Sequence, residues 1–130
     1  MAEPAAKQGD RVVGTDIHVV MVPTPAGPVP TPSPHPFAGT LAGALSNDVL
    51  INGKQAAVVG STAVNSPPHI PQGGPFQIPP TNRGTVTAGS ATVLVNGKPL
   101  ARNGDSVRTC NDPVDAVTSS ITATGNVLAG

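Results

Sequence analysis

Apolar residues in this chain come mainly as short Val, Leu and Ile runs punctuated by Gly, Pro and Asn. Val49-Leu50-Ile51 and Val93-Leu94-Val95 each lead into an Asn-Gly pair, Asn52-Gly53 and Asn96-Gly97, followed by Lys54 and Lys98. A short apolar strand ending in the dipeptide that best tolerates two positive φ angles predicts a β-hairpin with a type I′ turn. Residues 46–54 and 90–98 align at an offset of 44, and the predicted return strands continue through 55–61 and 99–105.

The return-strand pattern occurs a third time at the start of the chain. Pro4-Ala5-Ala6-Lys7-Gln8-Gly9-Asp10 matches Pro99-Leu100-Ala101-Arg102-Asn103-Gly104-Asp105 at Pro, Ala, a basic residue, Gly and Asp. Its missing outgoing strand is supplied by Gly125-Asn126-Val127-Leu128-Ala129-Gly130, whose Val-Leu pair corresponds to Val49-Leu50 and Val93-Leu94. The pattern predicts a closed ring of three parts, with the third repeat split between the termini and Gly130 near the residues before Pro4. Closure of this kind pairs strand edges that would otherwise template aggregation.

Thr85-Val86-Thr87 reads as a further strand. Phe37, Leu41 and Leu45 are spaced as one side of a helix over 38–46, but Gly39 and Gly43 would each cost about 1 kcal/mol there, so strand or irregular structure is an equal expectation. Residues 23–36 hold seven prolines and are expected to form an ordered loop inside the first repeat. Pro75-Phe76-Gln77-Ile78-Pro79-Pro80 is expected to be a second loop, with Phe76 packed on the aliphatic core.

Composition adds a constraint. The 130 residues suit one domain, 1–130, but they contain only two aromatics, Phe37 and Phe76, alongside 15 Gly and 16 Pro. A core so poor in aromatic area needs a metal, an oligomer or a docking partner. Charge is balanced at seven acidic and seven basic residues, with no basic stripe and almost no stacking surface, which argues against nucleic acid as a partner. No run approaches the roughly 20 apolar residues of a membrane helix, and no signal region opens the chain, so synthesis in the cytoplasm is expected. A single cysteine cannot form an internal disulfide.

His18, His35, His69 and Cys110 use every histidine and the one cysteine. Three imidazoles and a thiolate suit zinc, which prefers four N or S donors in closed structural sites. His18 lies 14 residues after Pro4, His69 lies 14 after Gln55 and Cys110 lies 11 after Pro99, so each repeat contributes one candidate ligand. His35, from the Pro-rich segment, is the fourth. Asp16 and Asp112 lie two residues from His18 and Cys110 and either accept imidazole N–H groups or cap turns. Four protein donors leave no open position for water, and no nucleophile elbow, phosphate loop or HExxH helix is present, so no enzymatic activity is expected.

The triplicated Pro-Ala-Ala-Arg-like element, the Asn-Gly hairpins and the three-histidine, one-cysteine set together resemble the PAAR-repeat proteins. Pro4-Ala5-Ala6-Lys7 has Lys where the family has Arg, Gln55-Ala56-Ala57-Val58 is more degenerate, and Pro99-Leu100-Ala101-Arg102 departs at one alanine. The resemblance implies an all-β fold, a small conical prism of β-hairpins with pseudo-threefold repeats, Pro/Gly-rich loops and one structural zinc near the apex, iron being the less favoured ion. It implies that His18, His35, His69 and Cys110 are the metal ligands. It also implies a spike tip of a contractile injection system, either type VI secretion or a phage-tail-like particle. Such a tip caps a trimeric VgrG-like protein, sharpens it for puncture of a target membrane and aids effector delivery. Because no toxin domain follows Gly130, any effector is expected to bind noncovalently, and the protein would leave the cell with the particle. The alternative is an effector adaptor acting mainly through the Pro-rich loops.

Overall fold

The computed structural model describes residues 2–130, and its strands fall into three small hairpins and one closed barrel. The hairpins pair β1 (Glu3–Pro4) with β12 (Leu128–Ala129), β4 (Leu50–Ile51) with β5 (Lys54–Gln55), and β8 (Leu94–Val95) with β9 (Lys98–Pro99). Both Asn-Gly turns have the predicted left-handed pair of φ angles, 50° and 80° at Asn52-Gly53 and 53° and 79° at Asn96-Gly97. Glu3 pairs with Ala129 and Pro4 with Leu128, so the termini do form the third hairpin. The apolar runs, expected to be buried throughout, are buried on one face only: Ile51, Val95 and Ala129 point inward, whereas Leu50, Leu94 and Leu128 are 62%, 62% and 58% exposed. Successive side chains of a strand point to opposite faces, so a two-residue strand cannot bury both.

The three return strands meet on an axis. Ala6 N–H donates to Ala101 O (2.8 Å), Ala101 N–H to Ala57 O (2.9 Å) and Ala57 N–H to Ala6 O (3.0 Å), a cycle of three equivalent main-chain bonds. All three alanines have no exposed surface. A methyl group is what three side chains converging on one axis leave room for, because interiors pack near crystal density. The turns that follow are equivalent too: Lys7 N–H donates to Asp10 Oδ2, Val58 N–H to Ser61 Oγ and Arg102 N–H to Asp105 Oδ2, at 3.0, 3.0 and 2.8 Å.

Beyond these turns the chain rises into the barrel, whose strand order is β10 (Ser106–Thr109), β11 (Ala116–Thr122), β2 (Arg11–Val22), β3 (Val29–Gly43), β6 (Thr62–Asn65) and β7 (Arg83–Val86). No helix occurs among the described residues, and the stretch that offered helical spacing is the end of β3, where Phe37, Gly39 and Leu41 face inward at period two. Inside, Val12, Leu41, Ala63, Val86, Val107 and Ile121 form an aliphatic layer next to the alanine axis. The molecule is an all-β prism in which each repeat supplies one hairpin of the barrel.

One arm is longer than the others. β2 and β3 pair continuously from Arg11↔Thr40 to Val22↔Val29, so most of the Pro-rich segment expected to be a loop is strand. Pro30, Pro32, Pro34 and Pro36 alternate with Thr31, Ser33 and His35. The N–H groups of Ile17, Val19 and Met21 point away from β3, to Asn111, Asp112 and Pro75. The pairs Ile17↔Pro34, Val19↔Pro32 and Met21↔Pro30 are therefore the non-hydrogen-bonded ones, where a missing proline N–H costs the ladder nothing. From Pro30 to Pro36 the outer edge of β3 is left without donors, which blocks addition of another strand there.

Candidate metal centre

Alternation along β2 turns Val12, Asp16, His18 and Val20 into the barrel, and the β2–β3 register sets His35 directly across from Asp16. His69 arrives on the loop after β6, and Cys110 immediately follows β10. Of the four residues expected from sequence, the His18, His35 and His69 rings have centroids 4.9–5.6 Å apart, while Cys110 joins His18 and His69 in a donor cluster that takes Asp16 and not His35. Asp16, His18, His69 and Cys110 each offer a donor atom within 4.8 Å of all the others, a buried cluster able to hold a metal ion.

The register argument holds for two of the donors. Counted from the equivalent turn residues Asp10, Ser61 and Asp105, the position matching His18 and His69 is Pro113. Cys110 reaches the cluster from three residues earlier, where the chain leaves β10 and turns inward.

Asparagines and hydroxyls hold the donors. His35 Nδ1 donates to Ser33 O at 2.9 Å, which leaves the Nε2 lone pair free. His35 Nε2 and both ring nitrogens of His18 are buried without a hydrogen-bond partner. Orphaned imidazole nitrogens of this kind are costly unless an ion takes them up, so the residues present fit a metal. Asn65 Oδ1 accepts Ala38 N–H at 2.8 Å, while its amide nitrogen faces His69 Nδ1 and Asn82 Oδ1, each at 3.2 Å. His69 Nε2 lies 2.8 Å from Asp16 Oδ2, and Cys110 Sγ lies 3.5 Å from the same oxygen. Asp112 accepts Val19 N–H at 2.8 Å and stands 3.5 Å from His18 Nδ1, too far for a hydrogen bond.

Burial pushes His18 below its ordinary value, against the pull of Asp112 in the other direction. Burial, reinforced by Asp16, pushes the Cys110 thiol up to about 11, while main-chain contacts from Asn82 and Arg83 oppose the rise. A neutral imidazole is ready to bind a cation, whereas the thiolate needs one beside it.

Phe76, expected on the aliphatic core, covers the histidines instead, with ring centroids 5.8 Å from His18 and 5.3 Å from His35. Its strand-like strap bonds to β2 through Met21 N–H to Pro75 O (2.8 Å) and Gln77 N–H to Val19 O (2.9 Å). Gly74 permits that approach, since a Cβ there would lie 2.0 Å from Met21 O. The supporting roles of Asn65, Asn82, Asn111 and Thr118 left no sequence signal, because polar loop residues are common and their partners lie far away in the chain.

The chain thus forms a small threefold β prism with a buried cluster of oxygen, nitrogen and sulfur donors, able to hold a metal ion, at the end away from its base hairpins. Residues 76–130 match the family model for the PAAR motif. That match supports a PAAR-repeat protein, as the repeats suggest, and a spike-tip-type component of contractile injection systems. The match includes Cys110 and the β8–β9 hairpin, while the three histidines lie outside it. No curated protein and no solved structure matches the chain.

Proposed function

We propose that residues 1–130 act as one non-enzymatic domain that caps a trimeric VgrG-like spike, one tip per trimer, and sharpens it for passage through a target membrane. The carrying observation is the set Leu50, Leu94 and Leu128, exposed at equivalent positions of the three base hairpins. A threefold partner presents three identical surfaces, and three apolar side chains related by the same rotation can be covered together. Coexpression with the spike trimer followed by purification tests this. The wild-type chain is expected to co-purify, and Leu50→Asp combined with Leu94→Asp is expected to abolish it while the free domain stays folded. Co-purification unaffected by both changes would overturn the docking.

At the other end, His18, His35, His69 and Cys110 are proposed as ligands of one structural zinc per chain. Bound there, zinc would cross-link β2, β3 and two loops, and so hold the tip against unfolding when the spike is driven forward. Elemental analysis is expected to find about one zinc per chain, falling below about a tenth in His69→Ala. A cleft lined by Pro34, Pro36, Pro67, Pro68 and Ile70 beside the cluster favours a second role, a noncovalent seat for an effector. Loss of effector secretion with spike docking retained, in Ile70→Asp, is the outcome that distinguishes it.

A further inference from the structure

Asp16 is completely buried, yet among the described residues no lysine or arginine pairs with it. Thr109 and Thr118 donate their hydroxyls to Oδ1, Thr118 at 3.1 Å, and this turns Oδ2 toward His69 Nε2 and Cys110 Sγ, 2.8 and 3.5 Å away. Removing a carboxylate from water is strongly unfavourable unless an opposite charge accompanies it.

On the metal reading above, we infer that Asp16 is a specificity-determining residue that fits the site to a dication. With neutral imidazoles and the Cys110 thiolate, a divalent ion leaves a net charge of +1 on the donor set; Asp16 against His69 and Cys110, and Asp112 3.5 Å from His18 Nδ1, set negative charge beside it. A monovalent ion such as Cu⁺ is neutral with Cys110 alone and gains half as much from each added carboxylate as a dication does. Imidazole and thiolate donors accept both ions by softness, so the charge count is what separates them.

Asp16→Asn keeps the shape and removes the charge. The probes are Zn²⁺ and Cu⁺, each titrated alone into the chain under reducing, anaerobic conditions against chelators of known strength. Zinc affinity of D16N is expected to fall about 10- to 100-fold while Cu⁺ affinity falls by about the square root of that factor, shifting the Zn²⁺:Cu⁺ ratio toward copper. Thr118→Val, which removes a hydroxyl from Oδ1 but leaves the charge, is expected to keep the wild-type ratio. Equal losses for both ions in D16N, or a ratio identical to wild type, would overturn the assignment. Should D16N not fold, Asp16→Ser removes the same charge without a clash and is read the same way. A wild-type chain that binds neither ion overturns the metal reading itself, and this proposal with it.

Discussion

The two ends of the barrel obey different symmetry. At the base, three hairpins repeat turn for turn, and the Ala6, Ala57 and Ala101 amides close a cycle whose bond lengths differ by only 0.2 Å. At the other end β2 and β3 run 12 and 15 residues while β6 and β7 run four each, and the donor cluster takes only His18 and His69 from equivalent positions. Threefold repetition is a good solution for an axis filled by methyl groups and for contact with a threefold partner. A cluster of mixed donors has no such symmetry: there one arm is longer and Phe76 crosses over to cover the histidines.

The largest expected effect separates the two ends. Stripping metal with a chelator is expected to remove about 4 kcal/mol or more of stability, for an ion present at about a thousand times its dissociation constant. Hydrogen exchange should then accelerate at the amides of residues 15–20, while those of Ala6, Ala57 and Ala101 remain the slowest. Loss of protection at both ends together would show one cooperative unit and break the contrast. Next in size, Ala57→Leu forces a large side chain onto the axis and is expected to cost about 1–3 kcal/mol or more by overpacking. Zinc content of the folded fraction should stay the same.

Acid acts on the apical end. In the metal-free chain His18 binds its proton less readily folded than unfolded, so its contribution is whole above about pH 6.5 and is lost as pH falls through that value and below it. Urea titrations at pH 7.5 and 5.5 are expected to show lower stability at 5.5, and His18→Gln should flatten the difference. The smallest effect belongs to the base turns. Gly97→Ala meets no atom within 4 Å but keeps a φ of 79°, so backbone strain alone is expected to cost about 1 kcal/mol in a thermal melt. Gly53→Ala, at the equivalent turn, should match it; unequal costs would mean that the base is less symmetric than its hydrogen bonds.

Much of this was legible in advance, for specific reasons. Asn52-Gly53 and Asn96-Gly97 encode their turns locally, since few dipeptides accept two positive φ angles, and the repeat carried that information to the termini. His18, His69 and Cys110, which meet in the donor cluster, were legible as candidates because histidine and cysteine are rare here. The Pro-rich strand was not, because proline density signals a loop unless the parity of hydrogen bonding across β2 is known. Phe76 was assigned to the wrong neighbours for a similar reason: its strap pairs with Val19 and Met21, more than 50 residues away.

By itself the sequence determined an all-β chain of three related hairpins, closed through its termini, and singled out its three histidines and one cysteine as candidate donors. Only the tertiary structure decided which prolines lie on a strand edge, what covers the histidines, and that a buried carboxylate from Asp16 faces His69 and Cys110. Turns and strand alternation are set by neighbours in the chain, whereas burial, charge balance and the partner of each polar atom depend on residues brought together only when the barrel closes.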